Sequence, residues 1–192
     1  VPGMQVGVSL WRHCGEILSE SMVLGLHTHP DSGWMSLRKT FWHEEILADA
    51  KRKLQRLDWQ GVAMMEYKWD PDTDEFWFIE INARYWGYLH LDLFAGKDFP
   101  RLQLDAHFGH VSSDMGPPRR QFYCRHTVPG EISYLTALLK APKLPWYSKV
   151  AQSIVFVVLF LHPTMKADLL FPADRRLYWR GWLRFMSDLV GI

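Results

Sequence analysis

The stretch that decides the fold runs from Gly61 to Gly87 and reads GVAMMEYKWDPDTDEFWFIEINARYWG. Two apolar runs, at 61–69 and 76–81, flank the cluster 70–74, which contains Asp, Pro and Thr. Asp and Pro at this density favour a tight turn, because their side chains suit turn backbone conformations. The pattern therefore predicts a β-hairpin across this stretch.

Both strands of the predicted hairpin carry a carboxylate among apolar residues, at Glu66 and Glu80. These residues lie on either side of the turn and can be near neighbours on paired strands. Asn82 follows Glu80 by two positions, so strand alternation places both side chains on one face. Two carboxylates and an amide oxygen suit Mg²⁺ or Mn²⁺ and do not suit zinc.

Protein-bound Mg²⁺ often shares its ligands with phosphate groups, so this oxygen cluster indicates a nucleotide site. Arg84, two positions after Asn82, has a fixed charge that could meet a phosphate or an acyl phosphate. Each of these residues alone could simply be exposed or paired with an oppositely charged side chain. The spacing Glu-x-Asn-x-Arg, preceded by a strand glutamate, favours the metal site over that simpler explanation.

The regions on either side extend the same sheet. Alternation at 4–12 and 17–26 predicts a second hairpin, and 27–40 is expected to be a long loop. A helix is expected over 41–57, capped by Thr40, with its apolar face on the sheet. Further helices are expected at 84–95 and from Pro100, then a connector from 109 and three helices at 131–140, 146–161 and 174–190.

Composition restricts the classes of protein to consider. The chain has 192 residues and a formal net charge of +1, so it lacks the basic excess typical of nucleic-acid binders. Cys14 and Cys124 are expected to be free thiols, which favours a reducing compartment and a cytoplasmic location. The apolar run 154–161 is too short to span a bilayer and is expected to form a buried helix, so membrane contact is not expected.

The residues Glu80 to Arg84 (EINAR) resemble the E-x-N-x-R signature of the ATP-grasp superfamily. Val1-Pro2-Gly3 resembles the segment that follows the nucleotide hinge of that superfamily, and 61–68 resembles the strand with the first metal carboxylate. The segments 85–87 and 95–100 are similar to motifs of carboxylate–amine ligases related to the carbamoyl-phosphate synthase large chain. The resemblance spans residues 1–108.

The resemblance implies an α+β fold, in which an antiparallel sheet with flanking helices forms the C-terminal half of an ATP-grasp fold over 1–108. Residues 109–192 would be a connector and a helical extension. It also implies a ligase in which ATP phosphorylates a carboxylate and an amine attacks the acyl phosphate. Small-molecule carboxylates and amines would be the substrates, with ATP and Mg²⁺ or Mn²⁺ as cofactors. The implied roles are metal binding by Glu66, Glu80 and Asn82, catalysis by Arg84, and cofactor binding by Lys68 and Arg38.

An ATP-grasp site lies between two lobes, and the Gly-rich loop and lysines of the other lobe are missing from these 192 residues. The chain is therefore expected to be part of a ligase, inactive alone, whose partner is the missing N-terminal lobe. The alternative is a non-catalytic, truncated ATP-grasp-like module used for binding or assembly.

Two weaker hypotheses concern other residues. His27 and His29 with His43, or His107 with His110, could bind zinc, but no cysteine stands at a ligand spacing from them. The helices within 146–192 could lie on a membrane surface, because 173–184 is basic and aromatic.

Overall fold

A seven-stranded sheet forms the body of the protein in a computed structural model that describes residues 3–28 and 34–190. The side chains of residues 189 and 190 are outside that description, as are Val1, Pro2 and His29. The strands are β1 (Met4–His13), β2 (Glu16–Thr28), β3 (Met35–Thr40), β4 (Gly61–Trp69), β5 (Phe76–Asn82), β6 (Tyr123–Arg125) and β7 (Met165–Ala167).

The sheet has the order β5-β4-β1-β2-β3-β6-β7. Every neighbouring pair is antiparallel except β6 and β7, which run parallel. The helices are α1 (Glu44–Arg56), α2 (Leu89–Phe94), α3 (Phe99–His107), α4 (Ile132–Lys140), α5 (Trp146–Val158) and α6 (Arg175–Val190), and a 3-10 turn at Leu159–Leu161 follows α5. The predicted α+β class, with an antiparallel sheet and flanking helices, is confirmed.

Helices cover both faces of the sheet because its strands alternate between two apolar clusters. On one face, Ile46 and Leu54 of α1 pack on Val6 and Val8 of β1. On the other face, residues from α2, α3 and the preceding link pack on the opposite side chains of the strands; they include Trp86, Tyr88, Leu91 and Phe99. Burial of these apolar side chains on both faces supplies the main stabilising free energy of the body.

Three local predictions from the sequence were wrong. Of the expected loop at 27–40, residues 27–28 end β2 and residues 35–40 form β3, while 29–33 lie outside the described residues. Thr40 ends β3 and accepts a hydrogen bond from the Phe122 amide, so His43 caps α1 instead, accepting from the Ile46 amide at 3.4 Å. The helix expected at 84–95 is confined to α2, because the irregular link before it lets Trp86 and Tyr88 enter the core.

The C-terminal region contributes strands to the sheet as well as helices. The three predicted helices are present as α4, α5 and α6, but β6 and β7 from this region also extend the sheet beyond β3. The sheet therefore crosses the predicted boundary at 108/109, and the division into 1–108 and 109–192 stays a prediction.

The apolar run Ile154–Leu161 was predicted to be buried, and this prediction was wrong. The run forms the end of α5 and the 3-10 turn, but Ile154 is 57% exposed and Leu161 is 82% exposed. The helix predicted here is present, yet no element in the described part of the chain covers its outer face. No helix of the described residues is long and apolar enough to cross a membrane.

Two buried ionic clusters join the C-terminal region to the sheet. Arg38 of β3 donates to both carboxylate oxygens of Asp168 at 2.5 Å, and both side chains are almost completely buried. Glu131 accepts a hydrogen bond from Ser36 at 2.5 Å and lies 3.5 Å from Arg125. Arg125 in turn lies 4.5 Å from the ring centre of Phe156, on α5. A buried charge that loses its partner is left without solvation by water, so separating either cluster is costly. Both clusters therefore fix the C-terminal segments against the sheet.

Removing one member of the buried pair should destabilise the whole fold. Asp168→Asn leaves the Arg38 charge buried without a counterion, so the free energy of unfolding in urea should fall by about 3–5 kcal/mol. The exposed pair Arg101–Asp105 gives a matched control, in which Asp105→Asn should change stability by less than about 0.5 kcal/mol.

The pH dependence of this effect has a definite sign. Burial alone would raise the pKa of Asp168, but Arg38 and hydrogen bonds from His126 and Cys124 hold it well below its usual range. The stabilisation is therefore present above the pKa of an unfolded aspartate, about 4, and is lost as the pH falls through the lower folded value. If the difference in free energy of unfolding between the wild type and Asp168→Asn grew as the pH fell, this account would be contradicted.

Candidate functional site

A pocket of about 350 Å³ lies where β1, β4 and β5 meet the link to α2. Its walls combine acidic, basic, amide, aromatic and thioether side chains. They are Gln5, Trp34, Met35, Met64, Glu66, Glu80, Arg84, Gly87 and Tyr88. Three residues predicted from the sequence, Glu66, Glu80 and Arg84, therefore line one pocket.

The register of β4 against β5 brings the two carboxylates together. Glu66 lies directly opposite Glu80, and Met64 lies opposite Asn82. The register shifts by one residue immediately beyond Glu66, which marks a β-bulge at Ile79 on β5. The expectation that Glu66 and Glu80 are near neighbours on paired strands is confirmed.

Hydrogen bonds connect the polar residues of β5 and the following link in one row. The Asn82 amide donates to Glu80 Oε1 at 2.6 Å, and Arg84 Nη2 donates to Asn82 Oδ1 at 3.3 Å. Arg84 also donates from Nη1 to the Tyr85 carbonyl at 3.0 Å. This row places a carboxylate, an amide and a guanidinium in sequence along the rim.

Burial and the facing Glu80 determine the electrostatics of Glu66. Partial burial raises the pKa of Glu66, and repulsion from Glu80 raises it further. A hydrogen bond from Gln5 Nε2, at 3.0 Å, and the charges of Arg84 and Lys68 oppose this shift without cancelling it. A divalent cation between the two carboxylates would remove their repulsion, so the donor set fits the implied Mg²⁺.

Of the two predicted cofactor-binding residues, Lys68 lies near the carboxylate pair and Arg38 does not. Lys68 follows Glu66 by two positions on β4, near enough to influence its pKa, and its Nζ lies 3.5 Å from the Gly3 carbonyl. Arg38 is 1% exposed, is bound to Asp168 and does not line the pocket. Its role in cofactor binding stays a prediction, which would require that ion pair to open.

Sequence reasoning missed two neighbours of the carboxylates, Gln5 and Tyr88. Gln5 lies on β1 opposite Lys68, and its Oε1 is buried without a hydrogen-bond partner among the described residues. The Tyr88 hydroxyl is 3.2 Å from Ser9 Oγ, and a Cβ on Gly7 would lie 2.1 Å from it. A glycine inside a strand often marks such a close approach, so Gly7 was the available signal.

The described residues contain no group of three or more His, Cys, Asp or Glu that could hold a metal ion. The candidate site has two carboxylates and one amide, so a bound ion would need water or phosphate oxygens as well. Of the histidines considered for zinc, His43 caps α1 and contacts Asp74, while His27 contacts Glu131.

No protein-family model matches the chain, and no curated protein matches it. Solved structures do match. The biotin carboxylase domain of Hydrogenobacter thermophilus 2-oxoglutarate carboxylase has a TM-score of 0.52 at 11% identity, covering 62% of this chain and 28% of that chain. A biotin carboxylase domain of a thermophilic 2-oxoglutarate carboxylase has a TM-score of 0.50 at 13% identity, covering 62% and 29%.

Pyruvate carboxylase from Rhizobium etli also matches, with a TM-score of 0.48 at 18% identity, over 60% of this chain and 12% of that one. The two 2-oxoglutarate carboxylase likenesses show that the chain has the fold of part of a biotin carboxylase domain, which is an ATP-grasp fold. The expected resemblance is thereby confirmed at the level of fold. The chain spans less than a third of the length of these proteins.

The coupling between the two carboxylates can be measured directly. Glu80→Gln removes the like charge opposite Glu66, so the pKa of Glu66 should fall towards that of an ordinary glutamate. A carboxyl-carbon NMR titration of both proteins measures this shift. Glu75→Gln, an exposed substitution at the other end of the same hairpin, should leave the pKa of Glu66 unchanged, and an equal shift in both variants would contradict the coupling.

Proposed function

We propose that the chain is the metal-binding lobe of an ATP- and Mg²⁺-dependent ligase that joins a carboxylate to an amine through an acyl phosphate. The observation that carries this proposal is the direct pairing of Glu66 with Glu80, with Asn82 and Arg84 in the same row. A structural role alone does not account for two facing carboxylates, because their repulsion raises the pKa of Glu66 and costs folding free energy.

In this proposal Glu66, Glu80 and Asn82 hold the divalent ion, Mg²⁺ or Mn²⁺. Such an ion would supply positive charge that offsets the negative charge of the nucleotide phosphates during phosphoryl transfer. Asn82 would turn its amide oxygen towards the ion, and Gln5 would keep Glu66 in place through the existing hydrogen bond. Lys68, on the same face of β4, would add positive charge for the nucleotide.

Arg84 would stabilise the transferred phosphoryl group or the acyl phosphate. Its guanidinium lines the pocket and is oriented by the Tyr85 carbonyl and by Asn82 Oδ1. A planar guanidinium can donate two parallel hydrogen bonds to a phosphate, which a lysine cannot do. We therefore assign Arg84 the catalytic role.

The substrates and the rest of the enzyme belong to the same proposal. The Hydrogenobacter domain is in complex with MgADP and bicarbonate, so a domain of similar fold holds a magnesium nucleotide together with a small oxyanion. That domain is much longer than this chain, so the nucleotide lobe would come from the remainder of a full-length protein or from a partner. Cys14 and Cys124 are both free, in keeping with the proposed reducing, cytoplasmic compartment.

Metal-dependent nucleotide binding tests the ligand assignment. In the full-length protein, Glu80→Gln should weaken MgADP binding by at least about tenfold in calorimetry, because one carboxylate ligand is lost. Asp72→Asn, in the exposed turn of the same hairpin, should bind MgADP as the wild type does. Unchanged binding in Glu80→Gln would overturn the assignment.

Substitution of Arg84 separates catalysis from binding. Arg84→Met should lower kcat for ATP-dependent ligation, or for carboxylate-dependent ATP cleavage, by on the order of a hundredfold or more, because charge stabilisation in the transition state is lost. MgADP affinity should change by less than about threefold if the side chain acts only in transfer. A wild-type protein that binds MgADP but never cleaves ATP would favour the non-catalytic alternative.

A further inference from the structure

The segment between α4 and β7 has an unusual charge. From Ile132 to Ala167 the chain contains no Asp or Glu, and its charged residues are Lys140, Lys143, Lys149 and Lys166. Over 132–192, eight Lys and Arg stand against three Asp, whereas 1–131 holds 14 Lys and Arg against 18 Asp and Glu. The net charge of +1 therefore conceals an acidic body and a basic extension.

Helix α5 is oriented with its apolar side towards solvent. Most of its large apolar side chains are exposed, while Ser148, Lys149, Gln152, Ser153 and Phe156 are partly buried. Trp146 is 75% exposed and Leu161, in the turn after the helix, is 82% exposed. The exposed stripe consists of Tyr147, Val150, Ile154, Val157, Val158 and Leu161. Monomeric soluble proteins rarely present a continuous stripe of this kind, so it indicates a binding surface.

The stripe continues into a groove between α4 and α5. This groove has a volume of about 480 Å³ and is lined mainly by aliphatic side chains of α5 together with Leu139 of α4. Lys149 stands at its edge and donates to the Leu139 carbonyl at 2.7 Å. An apolar groove with a lysine at its edge suits a ligand with acyl chains and an anionic group.

Helix α6 repeats the combination of apolar and basic residues. Trp179 is 60% exposed and Leu183 is 70% exposed, on the outer side of the helix. Arg176, Arg180 and Arg184 are spaced by four residues and so lie along one edge of this apolar stripe. Helices that lie in the bilayer interface have this pattern, because arginine can extend to the headgroups while the apolar side chains enter the acyl region.

We propose that α5 and α6 bind the surface of a lipid bilayer that contains anionic headgroups. The apolar stripes would enter the boundary between headgroups and acyl chains, and the Lys and Arg side chains would contact the headgroups. Trp146, Tyr147 and Trp179 are the amphipathic aromatic residues that concentrate at this depth. The proposal reverses the expectation that membrane contact is absent, which depended on burial of 154–161.

An anionic bilayer fits these observations better than a protein partner does. An apolar protein surface would cover the stripe of α5, but it would not account for the absence of acidic residues from the whole segment. Pairing the α5 stripes of two copies of this chain would bring Lys140, Lys143 and Lys149 of each copy towards those of the other, and like-charge repulsion disfavours that arrangement. The bilayer satisfies both the apolar and the cationic requirement.

Vesicle co-sedimentation of the full-length protein tests the apolar part of the proposal. The protein should pellet with vesicles of phosphatidylcholine and phosphatidylserine, and the double variant Ile154→Gln, Leu161→Gln should bind at least about tenfold more weakly. The matched double variant Leu104→Gln, Phe108→Gln changes two exposed apolar residues at α3 and should bind as the wild type does. Since all four side chains are exposed, thermal unfolding should show that both variants fold.

The charge part has its own variants and controls. Arg180→Gln with Arg184→Gln should weaken binding by about fivefold per arginine, and added salt should weaken wild-type binding. Arg56→Gln, an exposed arginine of α1, is the control and should have no effect. Equal binding to pure phosphatidylcholine, or no pelleting with either vesicle, would overturn the proposal. So would analytical ultracentrifugation that shows a dimer dissolved by Ile154→Gln, which would assign the stripe to a second copy.

Glu80→Gln keeps this test separate from the proposed ligase, because it should weaken MgADP binding by at least about tenfold while leaving vesicle binding unchanged.

Discussion

The register between β4 and β5 is the constraint on which the site depends. It holds Glu66 opposite Glu80, at positions where a shift of one residue would turn one carboxylate to the other face of the sheet. The body of the fold preserves this register through the apolar clusters on both faces, which would lose their alternation with any slip. The folded state therefore maintains an unfavourable pairing of like charges because the rest of the sheet leaves no alternative.

The neighbouring strand supports the same arrangement. Gln5 on β1 donates to Glu66, and Gly7, two positions later, leaves room for the Tyr88 hydroxyl beside Ser9. The aromatic ring thus packs against the strand on the same side as the carboxylates and forms a wall of the pocket. Side chains without charge of their own thus fix the position of the charged ones, and a substitution of Gly7 or Gln5 would disturb the site without changing either carboxylate.

Sequence reasoning succeeded where the information was local and failed where it was distant. The hairpin at 61–82 follows from alternation and turn residues within one stretch, and EINAR lies within it. Strands β6 and β7 are three residues each, too short to show a period, and they form only because β3 offers a free edge. Arg38 looked like a basic side chain for a nucleotide, because its partner Asp168 lies 130 positions away in the sequence. Burial of 154–161 failed for the same reason, since composition cannot show whether another element will cover a helix.

The two parts of the chain have opposite net charges, which together give the near-neutral total charge. In the body, Glu66 and Glu80 face each other, and a cation between them would relieve their repulsion. In the extension, lysines and arginines accompany the exposed apolar side chains of α5 and α6, a combination that suits the proposed anionic surface. The buried Arg38–Asp168 pair joins the two parts, because one charge comes from β3 and the other follows β7. The pair thus fixes the extension to β3, which is separated from the carboxylate-bearing strands only by β2 and β1. Attachment of the extension to a surface would therefore hold the sheet, and with it the open face of the pocket, in a fixed orientation to that surface.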